Sequence, residues 1–280
     1  MRFSVRHETL YRYSVPVTFA PHVLRLHPRR ERARVLSQSL AVDPAPATMN
    51  TRLDAFDNAI TEVTFSGAGA SALRVVSALE VETLPADALA RARNVALLPL
   101  PWAHPAHSGD ALAPYRGSAI APPVRAFADA LRAEERGDPL RFLERLTREL
   151  CERTERGIRV EGAAQPPEVT LERRTGACRD LAVLFLAVCR SQGIAGRFVS
   201  GYQAQAQTPD GNRYLHGWAE VYVDGAGWCG WDPMHGIAVG EGHVALCAAP
   251  DQPATMPVEG GFYANGVTST LDWSLRIATS

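Results

Sequence analysis

The stretch Thr175-Gly176-Ala177-Cys178-Arg179-Asp180-Leu181-Ala182-Val183-Leu184-Phe185-Leu186-Ala187-Val188 decides how the rest of the chain is read. Leu181, Leu184, Phe185 and Val188 fall at i, i+3, i+4 and i+7, the spacing of one buried helical face. Gly193 supplies the stop. Thr followed by Gly marks the start, which puts Cys178 in the first turn. There the positive end of the helix favours a thiolate over a thiol. The unpaired N–H groups of that turn point outward, toward any oxyanion. Free cysteines are more often buried and inert, so Cys178 counts as reactive only if partners for it exist elsewhere. Cys189, inside the same helix, lies away from the terminal field and reads as structural.

The partners come downstream. Leu215-His216-Gly217-Trp218-Ala219-Glu220-Val221-Tyr222-Val223-Asp224 alternates as a strand. With a period of two, Ala219, Val221 and Val223 take the core face, and His216, Trp218, Glu220 and Tyr222 share the other. That second face, with an imidazole, an indole and a carboxylate, reads as a cleft wall. Asp224-Gly225-Ala226 then makes a three-residue hairpin loop. Pairing Val223 with Gly227 across it puts Asp232 opposite Trp218, on the face of His216 and about 7–8 Å from it by Cα. A two-residue turn would send Asp232 to the other face, so the loop length carries the argument. Alone, Asp232 before Pro233 is common turn chemistry. Cys at a helix start, His on a strand and Asp on the next strand together supply a nucleophile, a base and an orienting carboxylate.

Upstream, Arg2–Thr9, Leu36–Val42, Ile60–Ser66 and Leu73–Thr83 alternate as strands, broken by Asp43-Pro44, Asp57-Asn58 and Gly67-Ala68-Gly69. This predicts a β-sandwich-like module over residues 1–100. A Pro-rich connection follows over 101–123. Residues 124–280 form the second domain. In it Val124–Glu135 is a helix, and Asp138-Pro139 caps a second one, whose stripe is Leu140, Leu143, Leu146, Thr147 and Leu150. Strands follow at Gly196–Gln205, Leu215–Asp224, Gly227–Asp232 and Leu271–Ala278. Helices and then antiparallel strands mean an α+β fold.

Composition narrows the classes. The chain has 280 residues, a formal net charge of −1 and 21% charged residues, so neither nucleic acid nor an anionic membrane surface is an expected partner. No apolar run spans a bilayer and the first residues lack a signal-peptide core, which points to the cytoplasm. The five cysteines, Cys151, Cys178, Cys189, Cys229 and Cys247, include no C-x-x-C pair. Free thiols are expected rather than a disulfide framework, with all but Cys178 structural.

Taken in order, Thr175-Gly-Ala-Cys178-Arg179-Asp180-Leu181-Ala182, Arg197-Phe198-Val199-Ser200-Gly201-Tyr202, His216-Gly-Trp-Ala-Glu220-Val-Tyr and Gly225-Ala-Gly227-Trp228 through Trp231-Asp232-Pro233 resemble the bacterial transglutaminase-like superfamily. The opening, with Tyr11-Arg12-Tyr13 and Leu24-Arg25-Leu26-His27-Pro28, resembles the β module that precedes the core in that family. The resemblance implies a papain-like core of helices packed on an antiparallel sheet. It also implies Cys178 as nucleophile, His216 as base and later acid, and Asp232 as the group that orients His216. Two positions depart from the pattern. Gly217 stands where Ala is usual, and Met234-His235-Gly236 stands where a small polar residue is expected, which makes His235 a decoy base.

The implied reaction is attack of the Cys178 thiolate on a peptide or protein amide, through a thioester resolved by water or by an amine. The Cys178 N–H and a second donor that the sequence does not identify would hold the oxyanion. Arg179, Tyr202 and Trp218 are the candidate substrate-binding residues, and Arg179 and Asp180 also read as a structural ion pair. No cofactor and no metal is expected, and the oligomeric state is left open. Two rivals stand against this reading. One is a catalytically inactive binding scaffold. The other is a metal site built on Cys178, His216 and Asp232 with His235 or His243.

Overall fold

In a computed structural model of the chain, the described residues are 1–67, 69–85, 87–103, 110–117, 119–157, 159, 162–205 and 213–280. The first strands are β1 (Arg2–Phe19), β2 (His22–Leu24), β3 (Ala33–Asp43), β4 (Thr48–Leu53), β5 (Ala59–Thr64) and β6 (Ala70–Thr83). They are followed by α1 (Asp87–Ala92), α2 (Pro122–Glu134), α3 (Pro139–Arg153), the short β7 (Glu155–Arg156), α4 (Pro167–Arg173), the short β8 (Thr175–Gly176) and α5 (Cys178–Ser191). Then come β9 (Gly196–Gln203), β10 (His216–Val223), β11 (Gly227–Asp232), β12 (Ile237–Ala238), β13 (His243–Ala249), β14 (Val258–Glu259), β15 (Phe262–Tyr263) and β16 (Ser269–Thr279).

The protein is α+β, as the patterning predicts. Two antiparallel sheets, one built on β3, β6 and β1 and the other ordered β14-β2-β5-β4, enclose a core that includes Phe3, Val5, Val17, Leu24, Val63, Leu73 and Val81. A third sheet, ordered β12-β11-β10-β9-β13, carries α5 on one face. Leu181, Leu184, Phe185 and Val188 of α5 meet Ala219, Val221 and Val223 of β10 there, as the two periodicities require. The α3 start follows its capping signal: the Asp138 carboxylate accepts from the N–H groups of Leu140 and Arg141, each at 3.0 Å.

The domain limits differ from those the sequence predicts. β16 does not stay with the C-terminal sheet; it pairs with β1 from Phe3↔Thr279 to Tyr13↔Ser269. β15 joins the same edge of β1, and β14 joins β2. The chain therefore returns to the first module, and its second domain is not one contiguous span ending at residue 280. Near the Pro-rich connection, α1 places Ala88 and Ala92 in the helical core. The Leu100 N–H donates to Gly137 O and the Trp102 N–H to Gln192 O, so this part of the segment is docked backbone. Residues 104–109 and 118 of that connection lie outside the described residues. A strand can be read from its own alternation, but which edge it pairs with depends on residues far away in sequence.

Candidate active site

Cys178 is the first residue of α5 and half-buried. The start of the helix is held by Asp180, whose carboxylate accepts from the Ala177 N–H at 2.8 Å. That carboxylate is fully buried and also takes the Gln165 N–H at 2.7 Å and an ion pair with Arg159. The close ion pair at Asp180 is made by Arg159, while Arg179, the partner expected from sequence, feels the Asp180 charge from the next position. Successive helix residues point about 100° apart, so neighbours at i and i+1 do not face each other.

His216 is the first residue of β10, and Asp232 is the last of β11. The loop Asp224–Ala226 has three residues, with Gly225 at φ 77° and Gly227 at φ 85°, and Val223 pairs with Gly227. That register carries Asp232 to the face of His216, and the His216 Nε2 lies 2.8 Å from Asp232 Oδ2. The other side of the ring meets the thiol: Cys178 is hydrogen-bonded to His216, and its sulfur also receives the backbone N–H of Gly217.

The electrostatics follow from these contacts. Burial raises the Cys178 thiol, but the His216 hydrogen bond and charge and the Gly217 N–H outweigh it, and the net shift is downward. Burial pulls the His216 imidazole down, and the Asp232 carboxylate more than offsets that, pushing it up to about 10. Burial alone would raise Asp232, yet the imidazoles around it hold its carboxyl well below the usual carboxylate range. The other four thiols all move the opposite way because burial dominates: Cys229 is pushed up to about 11 and Cys247 to about 12, and Cys151 and Cys189 are also raised. All five cysteines are free.

Two further histidines converge on Asp232. His235 Nδ1 lies 2.8 Å and His243 Nε2 3.1 Å from the same Oδ2, while Oδ1 accepts from the backbone N–H groups of Met234 and His235. Burial lowers the His243 pKa, so this ring is a neutral donor. Neither His235 nor His243 lines the cleft at Cys178. His235, the decoy base expected from sequence, thus faces Asp232 and not the cleft. His216, Asp232 and His243 have ligand-type atoms within 4.8 Å of one another, a spacing a metal ion could use; in this structure the same atoms are joined as donors and acceptor. The convergence was illegible in the sequence because β13 reaches the site only by crossing to pair with β9.

A cleft of about 530 Å³ opens over the thiol, lined by Cys178, His216, Gly217, Arg179, Met234 and residues of β1 and β16 among others. Arg179 does sit at it, with Nη1 donating to Arg159 O at 2.5 Å. Tyr202 and Trp218 do not. Tyr202 is fully buried in the core beneath the first module, its hydroxyl 3.0 Å from His7 Nδ1. Trp218 is also buried, packed with Val199 and Val239 and edge-on to His243. The β10 face expected as a cleft wall is covered beyond His216; Glu220 there is buried against Arg197, at 2.6 and 2.8 Å. Alternation assigns a side chain to a face but not what covers that face.

Gly217 has a local reason. A Cβ at this position would lie 2.6 Å from Cζ of the buried Phe198 ring. Gly217→Ala should therefore lower stability by about 1–3 kcal/mol through overpacking, read as a fall in the urea midpoint at constant slope. An unchanged midpoint would show that Phe198 yields freely.

Helices packed on an antiparallel sheet, a thiol at a helix start and a His–Asp pair on adjacent strands define the transglutaminase-like class, and this chain belongs to it. Residues 3–82 match the bacterial transglutaminase-like N-terminal region and residues 125–233 the transglutaminase-like superfamily. Uncharacterized proteins of Mycobacterium tuberculosis and Mycobacterium bovis are each 30% identical over 293 residues, covering 99% of this chain and 92% of their own. A protein-glutamine gamma-glutamyltransferase of Pseudomonas aeruginosa is 31% identical over 126 residues, 42% of this chain and 19% of that protein. Among solved structures, a candidate cysteine protease from Cytophaga hutchinsonii shares the fold with a TM-score of 0.72 at 18% identity, over 99% of this chain and 90% of that one. Among the described residues, no helix is long and apolar enough to cross a membrane.

Proposed function

We propose that the chain is a cysteine-dependent enzyme acting on peptide or protein amides, by hydrolysis or by acyl transfer to an amine. One observation carries this reading: of five thiols, only the one hydrogen-bonded to the His216–Asp232 pair is shifted toward thiolate, and it opens on a cleft. The Cys178 thiolate attacks the amide carbonyl carbon. The carbonyl oxygen takes the charge and is met by the N–H groups at the start of α5. As the tetrahedral intermediate collapses, the imidazolium of His216 gives its proton to the departing amine, leaving a thioester. His216, now neutral, takes a proton from water or from a primary amine, which attacks the thioester and releases Cys178. Asp232 holds the imidazole in orientation and stabilises its cation throughout. Five free thiols favour a reducing compartment, and we place the protein in the cytoplasm.

The test is limited alkylation with iodoacetamide across pH, with the modified cysteine mapped by mass spectrometry. Cys178 should react first, at pH values below those of an ordinary thiol near 8.5. Its rate should rise as the thiol ionises and hold until the His216 imidazolium titrates, at about 10. His216→Ala should move the rise upward in pH, since the group that lowers the thiol is gone. Equal labelling of Cys178 and the four other thiols would favour the binding-scaffold reading. Turnover of a glutamine-containing protein with and without a fluorescent primary amine then separates hydrolysis from transfer.

A further inference from the structure

The first module does more than precede the core. The β1–β16 register pairs His7 with Leu275, Thr9 with Trp273 and Tyr11 with Leu271. All six side chains line the cleft that holds Cys178. On the same face of β1, two and four residues before His7, Val5 and Phe3 are sealed in a core shared with Tyr202, Val244 and Leu246 of β9 and β13. One sheet face is thus docked on the core at one end and open beside the nucleophile at the other.

The open end sets the apolar Leu271, Leu275 and Trp273 beside the hydroxyls of Thr9 and Tyr11 and beside His7, whose state is fixed from behind. The imidazole is 6% exposed, and its Nδ1 lies 3.0 Å from the buried Tyr202 hydroxyl. Among the described residues that hydroxyl has no other partner. Were Nδ1 protonated, it would donate to the phenol oxygen, and the phenol proton would be buried with no acceptor, a costly arrangement. With Tyr202 donating, Nδ1 accepts and the ring proton sits on Nε2. Nε2 has no partner among the described residues and is not sealed from the cleft that the ring lines. Burial pulls the His7 pKa down to about 4, so the ring stays neutral and keeps this tautomer at physiological pH.

We infer that the β1–β16 face is the substrate-binding wall of the site, taking an extended peptide with a large apolar or aromatic side chain against Leu271, Trp273 and Leu275 and an acceptor on the His7 Nε2–H. This rests on the catalytic reading of Cys178. An acceptor is what a neutral imidazole N–H can bind, and every peptide offers one in its backbone carbonyls. An apolar neighbour is what the paired residues can desolvate.

The experiment compares three reagents that alkylate Cys178: iodoacetamide, which carries no peptide to lie along the wall, and two chloromethyl ketones, acetyl-Phe-Ala and acetyl-Gly-Gly. In the wild-type protein the Phe-Ala reagent should react about tenfold faster or more than the Gly-Gly reagent, the scale of one buried aromatic side chain. His7→Ala should slow the Phe-Ala reagent by about fivefold to tenfold, one hydrogen bond's worth, while iodoacetamide stays within about twofold. His7→Gln, which keeps an N–H donor, should recover part of the loss. Tyr202→Phe should fall between wild type and His7→Ala, because the ring loses the partner that orients it while Nε2 still carries the proton. Thermal melts of each variant identify any that fail to fold, and the wild-type comparison needs no variant. Equal wild-type rates for the two ketones, or an equal loss with iodoacetamide in His7→Ala, would overturn the wall while leaving the nucleophile intact. A Cys178 no more reactive to iodoacetamide than Cys151 would instead overturn the catalytic reading, and the wall with it.

Discussion

Cys178→Ala protein should show no amide turnover above background, a loss of at least about 10³-fold, with its fold intact. Removing the nucleophile of a covalent mechanism leaves only what binding and oxyanion contacts supply. The loss in stability should be small. Cys178 is half-buried at the start of α5, and the helix start is held by Asp180 through the Ala177 N–H rather than by the thiol. Because the raised thiols Cys189, Cys229 and Cys247 are buried, they offer no substitute nucleophile. The check is turnover together with circular dichroism on the same preparation. Residual activity within tenfold of wild type would move the chemistry to another group.

Asp232→Ala should damage both activity and stability. In activity, His216 loses the group that orients it and stabilises its cation, and a fall of about 10³–10⁴-fold is the scale for losing such a carboxylate. The rise of the Cys178 alkylation profile should shift upward in pH, because a less basic imidazole supports the thiolate less. In stability, three imidazoles and two backbone N–H groups lose their common acceptor in the core. Removing one partner of a buried pair costs about 3–5 kcal/mol. Here the low end applies, because His216 can shed its proton once the carboxylate is gone.

The sign of its pH dependence follows from the two shifts. Asp232 is depressed, so its contribution is present above the unfolded carboxyl pKa, about 4, and is lost as pH falls below that. His216 is raised, so its contribution is complete below its unfolded value, about 6.5, and fades as pH climbs toward about 10. The gap between wild type and Asp232→Ala should therefore be widest between about pH 4 and 6.5. Urea melts across pH read it, and a gap that does not vary with pH would mean that the pair is not charged in the native protein.

The positions of Cys178, His216 and Asp232 on their elements could be read from sequence because each depends on local geometry. A helix period set Cys178 at the first turn, and a strand period set His216 opposite the core-facing Ala219 and Val221. The Asp224–Ala226 loop, with glycines where φ is positive, fixed the register that brings Asp232 to His216. These rules need only residues a few places apart or across one hairpin.

What failed to be legible was whatever covers a face. Tyr202 and Trp218 share strands with cleft and site residues, yet each lies under a second layer: Tyr202 beneath β1, Trp218 beside His243 of β13. Trp273, read only as part of a final strand, is placed at the cleft because β16 closes onto β1, more than two hundred residues away in sequence. Likewise, the three imidazoles on Asp232 Oδ2 come from one strand, one turn and one crossing strand. Periodicity placed Cys178 at a helix start and His216 and Asp232 on one face of adjacent strands. Long-range pairing, which is settled by burial of apolar surface between segments far apart in the chain, decided which residues a substrate would meet.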